Sequence, residues 1–277
     1  MEQTPKRWKI DGTEKLVAFL QRKVGGTGKG VRRMLEANGC RVNGRIERFG
    51  SSWVKSGDVV EFSSNEKSTG HFEILFENED LKIVNKPAGW ICDDAHSKKT
   101  FGPAVFLTHR LDKDTTGALL LAKNPTACMG LEKLFADRVV EKEYLALVDA
   151  HPNREQGVQE SFLTRKGSFQ GQTIWGSGTK GAQAITRWKV LATGTKASLI
   201  LCQPLTGRTH QIRVHMAEMG HPILIDRQYA DQFRSSLFAP RPLLHAQRLC
   251  FVFQGKSIDV TAPLPEDFQT ALATLKI

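Results

Sequence analysis

Tyrosine occurs only twice in these 277 residues and cysteine five times. Apolar runs such as ALLLA at 118–122 and LILC at 199–202 fall far short of the ~18 residues that cross a bilayer. The opening MEQTPKRWKIDG carries charge with no apolar stretch behind it, so neither a secretory signal nor a membrane partner is expected. The cysteines (40, 92, 128, 202 and 250) are odd in number, scattered, and contain no CxxC pair. That excludes a disulfide framework or a thiolate zinc site and fits reduced thiols in a cytoplasmic protein. A nucleotide loop is missing too. GGTGKG at 25–30 has Lys23 where the first glycine of GxxxxGK[ST] belongs and Gly30 where Ser or Thr would hold magnesium, so it reads as an inter-helix loop. His210 and His215 lack the i,i+4 spacing and the glutamate of a zinc helix. The adjacent Asp93 and Asp94 make a poor acid pair, because neighbouring loop carboxylates point apart. No cofactor, nucleotide or metal is expected.

What is present in excess is positive charge. The formal charge is +10, of which residues 1–70 carry +6, and this points to a polyanionic partner. TEKLVAFLQRKV has helical spacing at Leu16, Phe19 and Leu20, with Thr13 as the expected N-cap. VRRMLEANG places Val31, Met34 and Leu35 on one face, keeps Arg32 and Arg33 off it, and stops at Asn38-Gly39. CRVNGRIERF carries an Asn43-Gly44 hairpin turn, and SGDVVEF reads as a strand. Over 13–62 this pattern resembles the S-four-like RNA-binding module of ribosomal proteins. The resemblance implies that Arg32, Arg33 and Arg41 meet an RNA backbone. The polar residues 63–71 read as a linker to a second domain over 72–277.

In the second domain FEILFENEDLKIVNKPAG reads as two strands, GALLLAK as a strand, and Asn124-Pro125 as the start of a helix to about Arg138. EKEYLALVDA, AITRWKVLA, ASLILCQPL, LLHAQRLCFVF and KSIDVTAPL are further strands, and THQIRVHMAEMG a helix ending at Gly220. Hairpin-linked strands with few helices predict an α+β domain on a mixed, largely antiparallel sheet, preceded by the small α/β module.

HRLDKDTTG (109–117) and TGRTHQIRVHMAEMGHPI (206–223), with VNKPAG, KEYLALV, AITRWKVL and LLHAQRL in order, resemble the RluA family of pseudouridine synthases over about residues 72–268. The resemblance implies conversion of selected uridines in structured RNA to pseudouridine, with no cofactor. Asp112 would be the essential carboxylate, Arg208 its counter-ion, and Tyr144 the ring against the uracil. Arg110 would enter the gap left by a flipped nucleotide, with His109 and Lys86 on the RNA and Thr116 shaping the turn. An S-four-like module ahead of this domain resembles the family's large-subunit ribosomal RNA members; tRNA is the alternative substrate. A non-catalytic RNA-binding or assembly factor is the alternative from another class. A monomer is expected. Two departures stand out: Ile225 and Ala230 replace family glycines in the loop after GHPI, and Thr116 replaces the usual Ser.

Overall fold

The structure is a computed structural model that describes residues 6–36, 40–47, 49–62, 72–169, 172–230, 232–237 and 239–277. The chain forms two compact units, Met1–His71 and Phe72–Ile277.

The first unit contains β1 (Lys6–Lys9), β2 (Glu14–Lys15), α1 (Leu16–Val24), α2 (Gly28–Glu36), β3 (Cys40–Val42), β4 (Arg45–Ile46), β5 (Trp53–Val54) and β6 (Val59–Phe62). Its main sheet runs β1-β6-β3-β4, all antiparallel, so the unit starts earlier than Thr13. Leu16, Phe19, Leu20, Val31 and Leu35 bury against Cys40, Val54, Val60 and Phe62. Thr13 does not cap α1. Glu14 and Lys15 are drawn into pairing with β5, so the helix begins only at Leu16, without a side-chain cap. The loop GGTGKG is partly helix as well: α2 starts at Gly28, and Thr27 Oγ1 accepts from Gly30 N at 3.1 Å. Asn43 and Gly44 both take positive φ, 53° and 75°, as a two-residue hairpin turn demands. The Asn38-Gly39 stop and the linker lie outside the described residues.

The second unit holds β7 (Glu73–Glu77), β8 (Leu81–Lys86), α3 (Asp94–Phe101), β9 (Phe106–Leu107), β10 (Thr116–Ala122), α4 (Pro125–Ala136), β11 (Glu141–Asp149), β12 (Gln156–Phe169), β13 (Gln172–Gly178), β14 (Ala182–Gly194), β15 (Ala197–Pro204), α5 (Gln211–Glu218), β16 (Leu244–Phe253), β17 (Lys256–Thr261) and α6 (Glu266–Leu275). The strands form one sheet of order β13-β12-β14-β15-β11-β16-β10-β8-β7, with β17 on β16 and β9 on β10. This is the expected largely antiparallel α+β architecture. α3, α6 and the β12–β13 hairpin come in addition. Asp93 is explained by α3, whose N-cap it forms by accepting from His96 N at 2.7 Å.

Two halves of the sheet meet where β10 runs parallel to β16, through Thr116 with His245 and Gly117 with Ala246. All seven residues of β10 are buried, because helices and loops cover both faces. Gly117 is indispensable at this seam: its φ is +112°, and a Cβ there would lie 2.1 Å from Ala246 O. Gly117→Ala is expected to cost about 3 kcal/mol or more, combining backbone strain with overpacking. A denaturant melt checks this; a midpoint equal to wild type would show that the two strands can part freely.

Candidate active site

The turn 112–115 leads directly into β10, so the seam fixes its position. Asp112 O accepts from Thr115 N at 3.1 Å. The carbonyls that follow are held from below by two buried cations. Lys86, fully buried at the end of β8, donates through Nζ to Pro87 O, Lys113 O and Thr115 O at 2.8, 2.9 and 2.9 Å. Arg241 Nη1 donates to Asp114 O and Leu244 O, while its Nε and Nη2 grip Asp267 of α6 at 2.7 and 2.9 Å. Three successive carbonyls are thereby fixed, and the Asp112 side chain is presented on a rigid base. Burial pulls the Lys86 ammonium down to about 8. Its three N–H donors match its three acceptors, an arrangement that needs the ammonium form.

Above the turn lies a cleft of about 570 Å3 lined by Arg110, Asp112, Tyr144, Arg208, His210 and Arg213 among others. Asp112 Oδ2 receives a hydrogen bond from Arg213 Nη1 at 3.3 Å, and Asp112 Oδ1 lies 3.9 Å from His210 Nε2. Arg213, on α5, is itself locked. Nε and Nη2 donate to the two oxygens of buried Asp226 at 2.7 and 2.8 Å, and Nη2 also donates to Gln228 Oε1 at 2.7 Å. The Tyr229 ring lies under the guanidinium at 5.1 Å. Asp226 and Asp112 hold the guanidinium charge firmly despite its burial. With its other edge committed, Arg213 offers Asp112 the Nη1 hydrogens in one fixed direction.

Tyr144, on β11, packs its ring between the clusters around Leu244 and Leu119, at the cleft. Its phenol is pushed well above the ordinary tyrosine value by burial and then by the charge of Asp112, so it is neutral. The second tyrosine of the chain, Tyr229, also belongs to this neighbourhood, with its hydroxyl 2.7 Å from His210 Nδ1. Arg110 is exposed at the cleft.

Several sequence expectations need correction. Arg208 lines the cleft but does not pair with Asp112; it lies in the exposed loop before α5, and its Nε donates to Gln183 O at 3.0 Å. The counter-ion is Arg213, one and a half turns further on. The missed signal was an arginine inside a stretch of α5 whose residues 211–216 are all buried, where a guanidinium needs carboxylate partners. Lys86 cannot reach a phosphate, since it is enclosed by carbonyls. Thr116 is buried too: His245 Nε2 donates to Ala262 O, so His245 Nδ1 accepts from the Thr116 hydroxyl at 2.8 Å, which braces the seam and keeps Thr116 off RNA. His109 borders the cleft, but its Nε2 accepts from Leu120 N at 2.9 Å and its ring stacks on Phe135. Burial and the nearby Lys142 bring His109 down to about 3, so it contributes a neutral ring and no cation for phosphate. His215 is buried between Thr186 and Ser161, remote in role from His210. In the first unit Arg32 and Arg41 are exposed, whereas the side chain of Arg33 lies outside the described residues.

The loop that supplies Asp226 explains one departure from the family pattern. Ile225 has φ +69°, the left-handed region that a glycine enters freely and a β-branched residue does not. Its side chain packs beside Leu224, Leu243 and Phe268, which offsets part of the strain. Ala230 has no such conformation; its N–H donates to Asp226 O at 3.0 Å.

The family described as RNA pseudouridylate synthase matches residues 80–218, a span that includes Asp112, Tyr144 and Arg213. Ribosomal large subunit pseudouridine synthase D of Zymomonas mobilis is 35% identical over 279 residues, covering 88% of each chain. Ribosomal large subunit pseudouridine synthase C of Pasteurella multocida is 34% identical, over 74% of this chain and 68% of its own. Among solved structures, human RNA pseudouridylate synthase domain containing 4 superposes with a TM-score of 0.62 at 28% identity, over 74% of this chain and 93% of that one. The chain belongs to the RNA pseudouridylate synthases, and among them to the RluA family. It is an RNA pseudouridine synthase, and RNA is its substrate.

Proposed function

We propose that this enzyme isomerises uridines of large-subunit ribosomal RNA, with Asp112 as the reacting carboxylate and the target nucleotide turned out of its stack. The observation that carries this reading is the chain Asp112–Arg213–Asp226, which holds one carboxylate in fixed orientation at an open cleft beside Tyr144. Pseudouridine formation breaks the N1–C1′ bond, turns the uracil, and rejoins it through C5. That demands a placed carboxylate, a flat neutral surface for the base, and a closed set of partners, and Tyr144 supplies the surface. A base inside a helix cannot reach Asp112, so it leaves the stack at a cost of roughly a few kcal/mol. Arg110, exposed at the cleft, is placed to fill the gap.

The first unit supports an RNA-contacting role in the S-four-like manner. It carries much of the excess charge and exposes Arg32 and Arg41. Large-subunit ribosomal RNA is favoured over tRNA by the names of the relatives at 34–35% identity. A cytoplasmic enzyme follows from that substrate.

The test is release of tritium from RNA labelled at uracil C5, with large-subunit ribosomal RNA and tRNA transcripts assayed in parallel. Release from ribosomal RNA is expected. Release from tRNA alone would move the substrate assignment to tRNA. If neither RNA is turned over although both are bound, the non-catalytic alternative replaces this reading.

A further inference from the structure

Several cations in this unit are matched by acids. Arg213 has Asp226 and Asp112, Arg241 has Asp267, and Arg248 has Asp259 and Glu143. Arg138 and Lys142 are different. Both line the cleft, and neither side chain has a hydrogen bond or ion pair among the described residues. Nearby acids are engaged elsewhere: Asp137 pairs with Lys133 at 2.8 Å and Glu143 with Arg248 at 3.4 Å.

The backbone at Arg138 is a second, independent observation. α4 closes with Arg138 N donating to Phe135 O and Val139 N to Leu134 O, the double bond of a Schellman ending. Arg138 occupies the position after the cap at φ +61°, which glycine ordinarily fills because a Cβ is unfavourable there. A long cationic side chain is thus kept at a position where the backbone prefers none. Strain of this kind, at the edge of a functional cleft, points to a use for the side chain.

Lys142 is half-buried, and it carries its charge near Arg138 and beside the neutral His109–Phe135 stack. Burial, and then the like charge of Arg138, bring its ammonium down to about 8. An exposed cation beside a half-buried one, with neither side chain paired to an acid, is stabilised when an anion arrives. We propose that Arg138 and Lys142 form a phosphate subsite that holds a phosphodiester of the RNA strand adjoining the uridine at Asp112. This rests on the reading that the cleft receives a uridine of an RNA strand. The subsite would select a nucleotide within a chain over a free nucleoside, since only the former brings the phosphodiester.

The experiment compares wild type, Lys142→Met and Arg138→Gly in binding a uridine-containing oligoribonucleotide over a range of salt, and in tritium release. Arg138→Gly suits the left-handed backbone, so it removes the cation while keeping or raising the melting temperature, and it remains informative if Lys142→Met folds poorly. Each variant is expected to bind about tenfold more weakly, with a salt dependence shallower by about one phosphate contact. KM should rise with kcat nearly unchanged. Wild-type affinity and salt slope in folded Arg138→Gly, with tritium release intact, would overturn the subsite and leave the enzyme assignment standing. Conversely, altered slopes in the variants with no tritium release by wild type would support the subsite and overturn the uridine reading.

Discussion

Asp112→Asn is expected to release tritium about 10^4-fold more slowly than wild type, while still binding RNA and melting close to the wild-type temperature. The size follows from removing a reacting group whose partners act with it as one unit. The change is nearly isosteric. Asp112 makes one hydrogen bond to Arg213, which keeps Asp226 and Gln228, so no buried charge loses its main partner. Single-turnover tritium release and a direct binding titration separate the two effects. A variant that retains even a tenth of wild-type turnover would remove Asp112 from the chemistry.

Arg213→Met attacks the same site from the opposite side, and here stability suffers along with rate. Asp226 is buried, and without the guanidinium its carboxylate would stand uncompensated. Breaking such a pair costs about 3–5 kcal/mol, or roughly 6–20 °C in Tm for a unit of this size. At temperatures where the variant remains folded, turnover should fall by about two to three orders of magnitude, because Asp112 loses its fixed donor. Arg213→Lys tests the geometry apart from the charge. One ammonium cannot span both oxygens of Asp226, Gln228 and Asp112 together, so partial stability should return without matching recovery of rate. Should Arg213→Lys turn over RNA like wild type, orientation by the planar fork would be irrelevant.

Much of this enzyme is legible along the chain. HRLDKDTTG announces a turn that feeds a buried strand, and the alternation of β14 and β15 marks the sheet. What resists reading is the choice of partner across space. Arg208 and Arg213 stand five residues apart in one motif; which of them meets Asp112 depends on α5 beginning at Gln211, with the first in the loop and the second inside the buried run. Lys86 illustrates the same difficulty. A lysine before Pro-Ala-Gly reads as exposed, and only the arrival of Lys113 and Thr115 carbonyls encloses it. The β12–β13 hairpin is hard to read because its strands carry mixed polar and apolar residues, without the strong apolar runs of the interior strands. The few apolar residues of α3 and α6 form a visible face only once the sheet beneath them exists.

The seam between β10 and β16 also sets the order in which the enzyme can come into being. Thr116 meets His245 across 129 positions of chain, and Asp114 is gripped by Arg241, which is itself fastened to Asp267. Contacts so distant along the chain form late, after the entropy of closing a long loop has been overcome. A growing polypeptide that has emerged only as far as α5 carries Asp112, Tyr144 and Arg213 but lacks β16, which joins β10 to β11, and Asp226, which fixes Arg213. The site is therefore complete only once the segment after α5 has docked, and a chain ending at α5 is expected to leave RNA unmodified.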